Sequence, residues 1–366
     1  MPDRLEGYGY FIEQVVTRLV QAHPEHEFYL IFDRPPLSLP KLPAHVRVEI
    51  IGPPARHPWL WVWWYDWRLP VLLKKLKADL FVSPDGIASL RTKIPQCLVI
   101  HDLAFLHARE WFPASIRRFY INRTPRFLRK IQRVATVSET SKKELIDRYG
   151  LSPDSIDVVF NAAKPVFRSH SDAEIAAVKS RYTDGKEYFL YTGAIHPRKN
   201  LIGLLKAFSL FKKRQQNGYK LVLAGRMAWH TGDFVRLLST YKYRSDVVLT
   251  GYLPVEELVG LTASAYALAY PSFYEGFGVP VLEAMQSDVP VITSLGTSMQ
   301  EIAGSAALYA DPANPTALAE QLNRLYVDES LRCRLIELGR EVSARYSWEK
   351  TAQCLWSSMM AAARRD

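Results

Sequence analysis

The chain has 366 residues, which is enough for two domains of ordinary size rather than one compact unit. Hydrophobic residues make up 48% and charged residues 23% of the chain, a balance that excludes an intrinsically disordered protein. The net charge is +10, and residues 1–170 hold 25 basic against 17 acidic side chains, so the excess lies in the first half.

The sequence also indicates a cellular location. No apolar run approaches the roughly 20 residues that a membrane-spanning helix needs. The first four residues carry no hydrophobic region of a secretory signal. The three cysteines lie far apart without metal-ligand spacing, which is typical of buried thiols in a reducing compartment: Cys97, Cys333 and Cys354. We therefore expect a cytoplasmic protein, either free or held peripherally at the inner face of the membrane.

The first half alternates candidate strands with candidate helices. Gly7 and Gly9 precede an amphipathic helix, as the glycine-rich turn after a first strand does. Only six residues precede this turn, so either the start of the chain is misassigned or the domain lacks its first strand. The candidate strands are 28–32, 46–51, 80–82, 97–100, 134–137 and 156–160, and the candidate helices are 11–22, 71–77, 116–130 and 139–149.

Tryptophan is concentrated in one short part of the first half. Three interpretations of this cluster are open: packing in a core or beneath a loop, contact with a membrane interface, and stacking on a sugar acceptor. The packing interpretation is slightly preferred. The cluster holds five of the nine tryptophans: Trp59, Trp61, Trp63, Trp64 and Trp67.

A basic segment follows at residues 109–133, with eight basic residues, one acidic residue and interleaved aromatic side chains. This composition is typical of a surface that binds nucleic acid, an anionic membrane or an acidic substrate. An amphipathic helix with a solvated basic face explains the segment equally well.

The second half is more regular. Short apolar runs bounded by Gly or Pro lack polar alternation, which predicts strands buried on both faces of a parallel sheet. These runs are 188–191, 221–224, 247–249, 267–270, 289–292 and 307–309. Helix-period segments separate them at 201–214, 233–242, 255–263, 280–286 and 315–326, and the tail at 331–363 is also helical. The alternation predicts an α/β fold with doubly wound parallel sheets, and two such units imply a ligand cleft.

The clearest chemical motif is YEGFGVPVLEAM at residues 274–285, directly after a predicted strand. The loop therefore lies at the carboxyl edge of the sheet, where ligands of such folds bind. Gly276 and Gly278 allow the backbone to approach a ligand closely. Glu275 and Glu283 flank the start of the next helix, where free N–H groups attract an anion and a carboxylate can accept hydrogen bonds from sugar hydroxyls.

This motif resembles the Glu-x7-Glu signature of glycosyltransferase family 4, which contains retaining transferases with the GT-B fold. Further segments resemble that family in the same order along the chain, and the resemblance covers nearly all of it. These segments are IHD at 100–102, VSE at 137–139, YTGAIHPRKN at 191–200, GYLP at 251–254 and YSW at 346–348.

The resemblance implies two Rossmann-like domains that face each other across a cleft. Residues 1–165 would form the acceptor-side domain, and residues 166–345 would bind the nucleotide sugar. Residues 346–366 would form a helix that crosses back onto the first domain.

The resemblance also implies catalytic roles. Arg198 and Lys199 would meet the negative charge of the departing diphosphate, Arg through a planar fork and Lys as a point charge. Glu275 would contact hydroxyls of the transferred sugar. His101 would lie beside that sugar at the reaction centre, and Glu283 would hold the ribose hydroxyls.

Other matching positions would complete the donor site. Gly9 would belong to the turn that faces the diphosphate and the acceptor, and Gly193 to the phosphate loop. Tyr252 would lie near the base. The loop around Glu275 would contribute the remaining donor contacts: Gly276, Phe277 and Gly278.

These expectations combine into one function. The protein would move a hexose from a nucleotide diphosphate sugar to a glycan or lipid-linked acceptor with retention, in cell-surface polysaccharide synthesis. The PRKN form of the phosphate loop favours GDP-mannose, with a UDP-sugar as the alternative donor. The chain contains no Asp-x-Asp motif, and Arg198 and Lys199 can neutralise the diphosphate, so we expect no metal requirement.

Three alternatives remain open. The first is a non-catalytic GT-B protein that binds a nucleotide sugar, which the absent first strand would explain. The second is a glycosidase that uses Glu275 and Glu283 as its two carboxylates, although it leaves Arg198 and Lys199 without a role. The third is nucleic-acid binding by the basic half, which we do not expect.

Overall fold

The computed structural model of the chain describes residues 7–36 and 42–364. The predicted absence of a first strand concerns residues 1–6 and lies outside the described residues.

Helices and strands alternate along the part of the chain that is described. Up to residue 161 they are α1 (Tyr8–Ala22), β1 (Phe28–Phe32), β2 (Val46–Ile50), α2 (Pro58–Trp63), α3 (Leu69–Leu76), β3 (Phe81–Ser83), β4 (Gln96–Ile100), α4 (Ala114–Leu128), β5 (Arg133–Thr136), α5 (Glu139–Tyr149) and β6 (Ile156–Val158). After it they are α6 (Asp172–Thr183), β7 (Tyr188–Thr192), α7 (Leu201–Gln215), β8 (Lys220–Ala224), α8 (Gly232–Ser239), β9 (Val247–Gly251), α9 (Val255–Ala263), β10 (Ala267–Tyr270), α10 (Val279–Gln286), β11 (Val291–Ser294), α11 (Ser298–Ala303), β12 (Ala307–Ala310), α12 (Pro315–Val327), α13 (Glu329–Ser343) and α14 (Trp348–Ala363).

The chain divides into two compact units. Unit 1 contains residues 1–161 together with 347–366, and unit 2 contains residues 162–346. Helix α14 therefore belongs to unit 1, where the Thr351 hydroxyl donates a hydrogen bond to the carbonyl oxygen of Phe160 at 2.5 Å.

Unit 2 is built on one six-stranded sheet in the order β12-β11-β10-β7-β8-β9, with every pair parallel. The chain runs outward from β7 through β8 to β9, and then outward on the other side from β10 through β11 to β12. The four residues Tyr188, Phe189, Leu190 and Tyr191 of the central strand are fully buried, as the absence of polar alternation predicts. The strand order reverses between β7 and β10, and ligands of open α/β sheets bind outside the carboxyl ends of the strands at such a point.

Unit 1 has a divided architecture. Strands β1 and β2 form a parallel pair, and a separate parallel sheet runs β3-β4-β5-β6. Helix α4 packs Phe119, Phe127 and Leu128 into the core beside the four-stranded sheet. Its Arg118 and Arg126 are exposed, so the basic segment does form an amphipathic helix, and the choice between a solvated basic face and a surface that binds an anion stays open.

All twelve predicted strands are present, with ends that differ by three residues or fewer. Sequence analysis missed α2, α6 and α11. Helix α6 is held by a capping box at Ser171 and Glu174 and buries only its last residue, so it has almost no apolar face to detect. Helix α11 has six residues, too few to show a helical period.

The packing interpretation of the tryptophan cluster is wrong for three of its five members. Trp64 is buried, and Trp61 packs edge-to-face on Phe119 with ring centroids 5.1 Å apart. The other three indoles are exposed, by 69% at Trp59, 39% at Trp63 and 51% at Trp67. The indoles differ in exposure because they lie on α2 and the turn after it, and this helical segment has one face toward the core and one toward solvent.

The helices of the described residues were compared with the length and hydropathy that a membrane-spanning helix needs. None of the helices found there is both long and apolar enough to cross a bilayer.

Candidate functional site

Two loops of unit 2 leave its sheet at the strand-order reversal. One follows β7 and contains Gly193 and the Pro197–Lys199 turn, and the other follows β10 and contains Glu275. A backbone hydrogen bond from Phe273 N–H to the carbonyl oxygen of Arg198 joins them at 2.9 Å. The two motifs that sequence analysis singled out are therefore held side by side.

The loop after β7 and the loop after β8 each require one glycine. Gly193 has φ +128°, which side-chain-bearing residues rarely adopt. A Cβ atom on Gly225, which follows β8, would lie 1.9 Å from the carbonyl oxygen of Gly193. The close approach of the two backbones leaves the carboxyl end of β7 free of side-chain bulk, as a phosphate-binding loop requires.

Asn200 fixes where this loop ends and α7 begins. It has φ +59°, and its side-chain oxygen accepts from the N–H of Gly203. Its side-chain amide donates to the carbonyl oxygens of Pro271 at 3.1 Å and Pro312 at 2.6 Å. One side chain therefore caps a helix and ties the ends of three strands together, which holds the preceding Arg198 and Lys199 in place.

Arg198, Lys199 and Glu275 form a charged cluster, in which the carboxylate is buried and the two cations are partly buried. Lys199 Nζ donates to Glu275 Oε1 at 2.5 Å and to the Tyr270 hydroxyl at 2.7 Å. Arg198 Nη1 lies 3.7 Å from Glu275 Oε2. Burial pushes the pKa of Glu275 upward, but Lys199 and Arg198 outweigh it and hold the pKa below its ordinary value. Glu275 is therefore ionised, and two cations share one carboxylate.

Glu283 is buried in a different electrostatic setting. It lies on α10, and Lys164 Nζ is 3.8 Å from its Oε1. Burial raises the pKa of Glu283 to about 7, and Lys164 opposes part of that rise. Its carboxyl group is consequently balanced between the neutral and ionised forms near neutral pH.

The glycine-rich loop before α10 has a fixed shape. Gly278 caps the helix at φ +99°, and a Cβ atom there would lie 2.7 Å from Met299 Cγ. Gly276 is buried, and the buried ring of Phe277 meets Tyr346 edge-to-face at 5.8 Å. The side chain of Phe277 therefore packs against protein and anchors the loop. The prediction that this residue contributes a donor contact stays a prediction.

Tyr252 lies directly after β9, an edge strand, and its side chain is 43% exposed. It is the outermost of the candidate donor residues in the strand order of unit 2. The prediction that Tyr252 lies near the base stays a prediction.

His101 and Gly9 belong to unit 1. His101 follows β4, and its Nε2 lies 2.9 Å from the carbonyl oxygen of Pro84, so Nε2 carries the proton and donates. Burial lowers the pKa of His101, which is therefore neutral at pH 7 with Nδ1 as an acceptor. Its ring packs edge-to-face on Phe11 at 4.9 Å. Gly9 is buried in the first turn of α1.

Sequence analysis missed two polar residues that contact the predicted site residues of unit 2. Tyr270 ends β10 and reads as one more apolar strand residue, although its hydroxyl accepts from Lys199. Lys164 carries no recognisable signal, because only the fold brings it to Glu283 more than a hundred residues later. Among the residues that the structure describes, no group of three or more acidic, histidine or cysteine side chains is arranged to hold a metal ion.

Comparison with known families divides the chain as the fold does. Residues 7–165 match the family described as Glycosyltransferase Family 4, and residues 172–342 match Glycosyl transferases group 1. Together these two ranges leave only the linker and the chain ends unmatched.

Curated relatives include several mannosyltransferases. The chain is 33% identical over 250 residues to O-antigen chain mannosyltransferase B of Escherichia coli, covering 68% of this chain and 66% of that protein. It is 28% identical over 260 residues to the serotype-specific mannosyltransferase WbdA of Escherichia coli, covering 69% of this chain but 32% of WbdA. The chain thus spans about two thirds of the first relative and a third of the second.

Solved structures share the fold over nearly the whole chain. WaaG, a glycosyltransferase involved in lipopolysaccharide biosynthesis, superimposes with a TM-score of 0.76 at 15% identity, covering 97% of this chain and 96% of WaaG. HepE of Anabaena, solved with UDP and glucose, gives 0.74 at 17% identity, covering 98% and 97%. With both family matches in sequence order and this fold, the chain belongs to glycosyltransferase family 4 and has the GT-B fold.

Proposed function

We propose that this protein is a retaining, metal-independent mannosyltransferase that moves mannose from GDP-mannose to a glycan or lipid-linked glycan during cell-surface polysaccharide synthesis. The observation that carries the proposal is the charged cluster of Arg198, Lys199 and Glu275 at the strand-order reversal of unit 2. The mannosyltransferase relatives support the choice of sugar.

The donor diphosphate is proposed to bind against the loop after β7. Lys199 then transfers its hydrogen bond, and Arg198 its ion pairing, from Glu275 to phosphate oxygens, where negative charge grows as the sugar departs. Because two cations share one carboxylate, the cluster holds an excess of positive charge that a diphosphate can neutralise. That neutralisation supports metal independence.

Glu275 gains a second role once the diphosphate has taken over the cations. Its ionised oxygens become available to accept hydrogen bonds from hydroxyls of the transferred sugar. The Ser298 hydroxyl donates to the main-chain oxygen of Glu275 at 2.7 Å, which fixes the loop while the side chain changes partners.

Glu283 is proposed to accept hydrogen bonds from the ribose hydroxyls, with Lys164 as its positioning residue. A carboxyl group whose pKa is about 7 is ionised more completely when two hydroxyls donate to it. We propose that neutral His101 contacts the transferred sugar. Retention is proposed to occur without a protein nucleophile, with the leaving diphosphate guiding the acceptor to the same face of the sugar.

Calorimetric titration with GDP, UDP and ADP in the presence of EDTA tests the donor assignment. We expect GDP to bind in the micromolar range with metal removed, and GDP-mannose to be consumed when a mannan or lipid-linked glycan is supplied. Tighter binding of UDP would overturn the choice of donor, and binding only with added metal would overturn metal independence. The anomeric configuration of the product, measured by NMR, tests retention.

A further inference from the structure

One side of the helical segment 58–76 carries large apolar side chains that face solvent. We name it the tryptophan face and define it as Trp59, Trp63, Trp67 and Val71, which are 69%, 39%, 51% and 69% exposed. Scattered single apolar residues are normal on a surface, but three indoles and a valine in one row form a contiguous patch. Such patches mark sites of interaction with a partner or a membrane.

The four residues stay aligned because the helix changes its winding. They are spaced four residues apart, and four residues overshoot one α-helical turn by about 40°. The π turn at Trp64–Arg68, between α2 and α3, holds more residues per turn and offsets that drift. A π turn is rare and is frequently found at functional sites.

The opposite side of the same segment is anchored in the core. Trp64, Leu69 and Leu73 are buried and pack with Phe81 of β3. The Trp64 indole N–H donates to the carbonyl oxygen of Ile51 at 2.6 Å. The tryptophan face is therefore displayed on a fixed element.

The stretch that carries the face is strongly basic, and an exposed acidic residue, Asp79, follows it directly. Between residues 51 and 78 the sole acidic residue is Asp66, which is buried and paired with Arg123 at 2.9 Å. Two guanidinium groups lie over the exposed rings, Arg68 at 5.6 Å from Trp63 and Arg91 at 3.4 Å from Trp67. The same stretch carries five basic side chains: Arg56, Arg68, Lys74, Lys75 and Lys77.

The neighbouring helix adds further positive charge. Trp61 packs on Phe119 of α4, so α2 lies against that helix. A cavity of about 420 Å³ near the start of α4 is lined by Arg109, Arg117 and Arg118.

We propose that the tryptophan face docks on an anionic lipid bilayer, with the indoles at the headgroup level and the surrounding cations on lipid phosphates. Indole prefers the membrane interface, and basic side chains beside it are attracted to anionic lipid. A second copy of the chain would oppose cation to cation at this face. A neutral glycan could stack on the rings but would leave the cations without partners.

The inference rests on the proposed function in one respect: membrane docking would bring the enzyme to a lipid-linked acceptor in the same bilayer. Lipid binding itself requires no donor. Vesicle binding and nucleotide binding can therefore fail independently, and each failure identifies which proposal is wrong.

The experiment is co-sedimentation of the full chain with vesicles of phosphatidylcholine alone or with one third phosphatidylglycerol. We expect binding to the anionic vesicles, weakened by salt, and quenching of tryptophan fluorescence by lipids brominated near the headgroup. The triple variant Trp59→Ser, Trp63→Ser, Trp67→Ser should bind at least 100-fold more weakly. The core side of the segment is unchanged, so we expect the variant to fold and to keep the wild-type GDP affinity. Its melting temperature should fall modestly, because the Arg68–Trp63 and Arg91–Trp67 contacts are lost.

The charge contribution has a matched control. Lys74→Gln with Lys75→Gln should weaken binding about 30-fold, since each basic side chain near an anionic surface contributes roughly fivefold. Lys206→Gln with Lys213→Gln makes the same charge change at exposed positions of α7 and should leave binding unchanged.

Four results would overturn the proposal. The first is equal vesicle binding by the triple variant, and the second is equal binding to neutral and anionic vesicles. The third is self-association of the wild type, without vesicles, that the triple variant loses, because it assigns the face to a second copy. The fourth is glycan-induced fluorescence quenching without any vesicle binding, because it assigns the face to an acceptor.

Discussion

The two units of this protein present different kinds of surface to their ligands. In unit 2, the residues singled out by motif, apart from Tyr252 at the edge strand β9, follow the two strands at the reversal of a continuous six-stranded sheet, and three of them form a charged cluster. In unit 1, the described strands form two separate sheets, His101 is neutral, and the most conspicuous feature is an exposed row of indoles. This contrast supports our proposals that unit 2 binds a small charged ligand and that unit 1 binds a larger and less polar one.

The difference follows from the physics of each ligand. A diphosphate needs cations and backbone N–H groups at fixed positions. A few motif residues near the start of a helix can therefore form its binding site. A membrane or a glycan is contacted over an area, and many side-chain combinations provide that area. Substitutions in unit 2 should therefore change donor chemistry sharply, whereas those in unit 1 should change turnover without changing nucleotide binding.

The largest effect is expected for Lys199→Ala in unit 2. Removal of a preorganised cation from a departing diphosphate typically lowers turnover about 100–1000-fold. Donor affinity should fall as well, because Lys199 is proposed to contact the diphosphate in both the bound and the reacting state. Steady-state kinetics with GDP-mannose give kcat and KM separately.

Lys206→Ala is the matched control, since Lys206 is an exposed lysine on the helix that follows the same loop. It should leave both constants unchanged. The Lys199 assignment fails if Lys199→Ala retains wild-type donor kinetics while remaining folded.

The candidate site of unit 2 was easier to identify from the sequence than that of unit 1, for a local reason, although two of the three missed helices, α6 and α11, lie in unit 2. Each unit 2 strand is a short apolar run between Gly or Pro, and Glu275, Arg198 and Lys199 lie within a few residues of a strand end. Such features depend on nearby residues, which a sequence displays directly. The hydrogen bond from Lys199 to the Tyr270 hydroxyl depends on the loop after β7 meeting the end of β10, and the sequence does not display that meeting.

Exposure was the quantity that sequence analysis could not supply. Trp63 and Trp64 are adjacent and chemically identical, yet one is 39% exposed and the other 6%. Which of them faces solvent depends on the phase of a helix that contains a π turn, and that phase is not fixed by composition. The contact between Lys164 and Glu283 is also non-local, because the fold brings the segment that contains Lys164 against α10.

The second prediction tests unit 1 through His101→Ala. If neutral His101 contacts the transferred sugar and not the nucleotide, turnover should fall by about 100-fold while GDP affinity stays at the wild-type value. Calorimetry with GDP and initial rates with GDP-mannose separate the two. His107→Ala, which changes a partly exposed histidine of the same unit paired with Glu144, is the control. A parallel loss of GDP affinity would show that the two units do not divide the work as proposed.

The third prediction concerns Glu283→Gln and pH. With a pKa of about 7, the Glu283 carboxyl group is mostly ionised at pH 8 and mostly protonated at pH 6. The charged form is the better acceptor for ribose hydroxyls, so the substitution should weaken GDP binding roughly 10–100-fold at pH 8 and much less at pH 6. Titration of the nucleotide phosphate is common to both proteins and cancels in the ratio. A ratio of affinities independent of pH would contradict the assignment.

The smallest effect is expected for Tyr270→Phe, which removes only one hydroxyl. That hydroxyl accepts from Lys199 at 2.7 Å, and burial raises the pKa of Tyr270 well above its ordinary value, so the group stays neutral. Loss of one hydrogen bond to a charged group should lower kcat about tenfold, because Lys199 is then less firmly aimed at the diphosphate. Donor KM should change little. Tyr188→Phe, which removes a hydroxyl bonded to the carbonyl oxygen of Leu261, controls for general loosening of the sheet. Equal losses in both variants would mean that Tyr270 supports the fold and not the cation, and the cluster would then reduce to Arg198, Lys199 and Glu275.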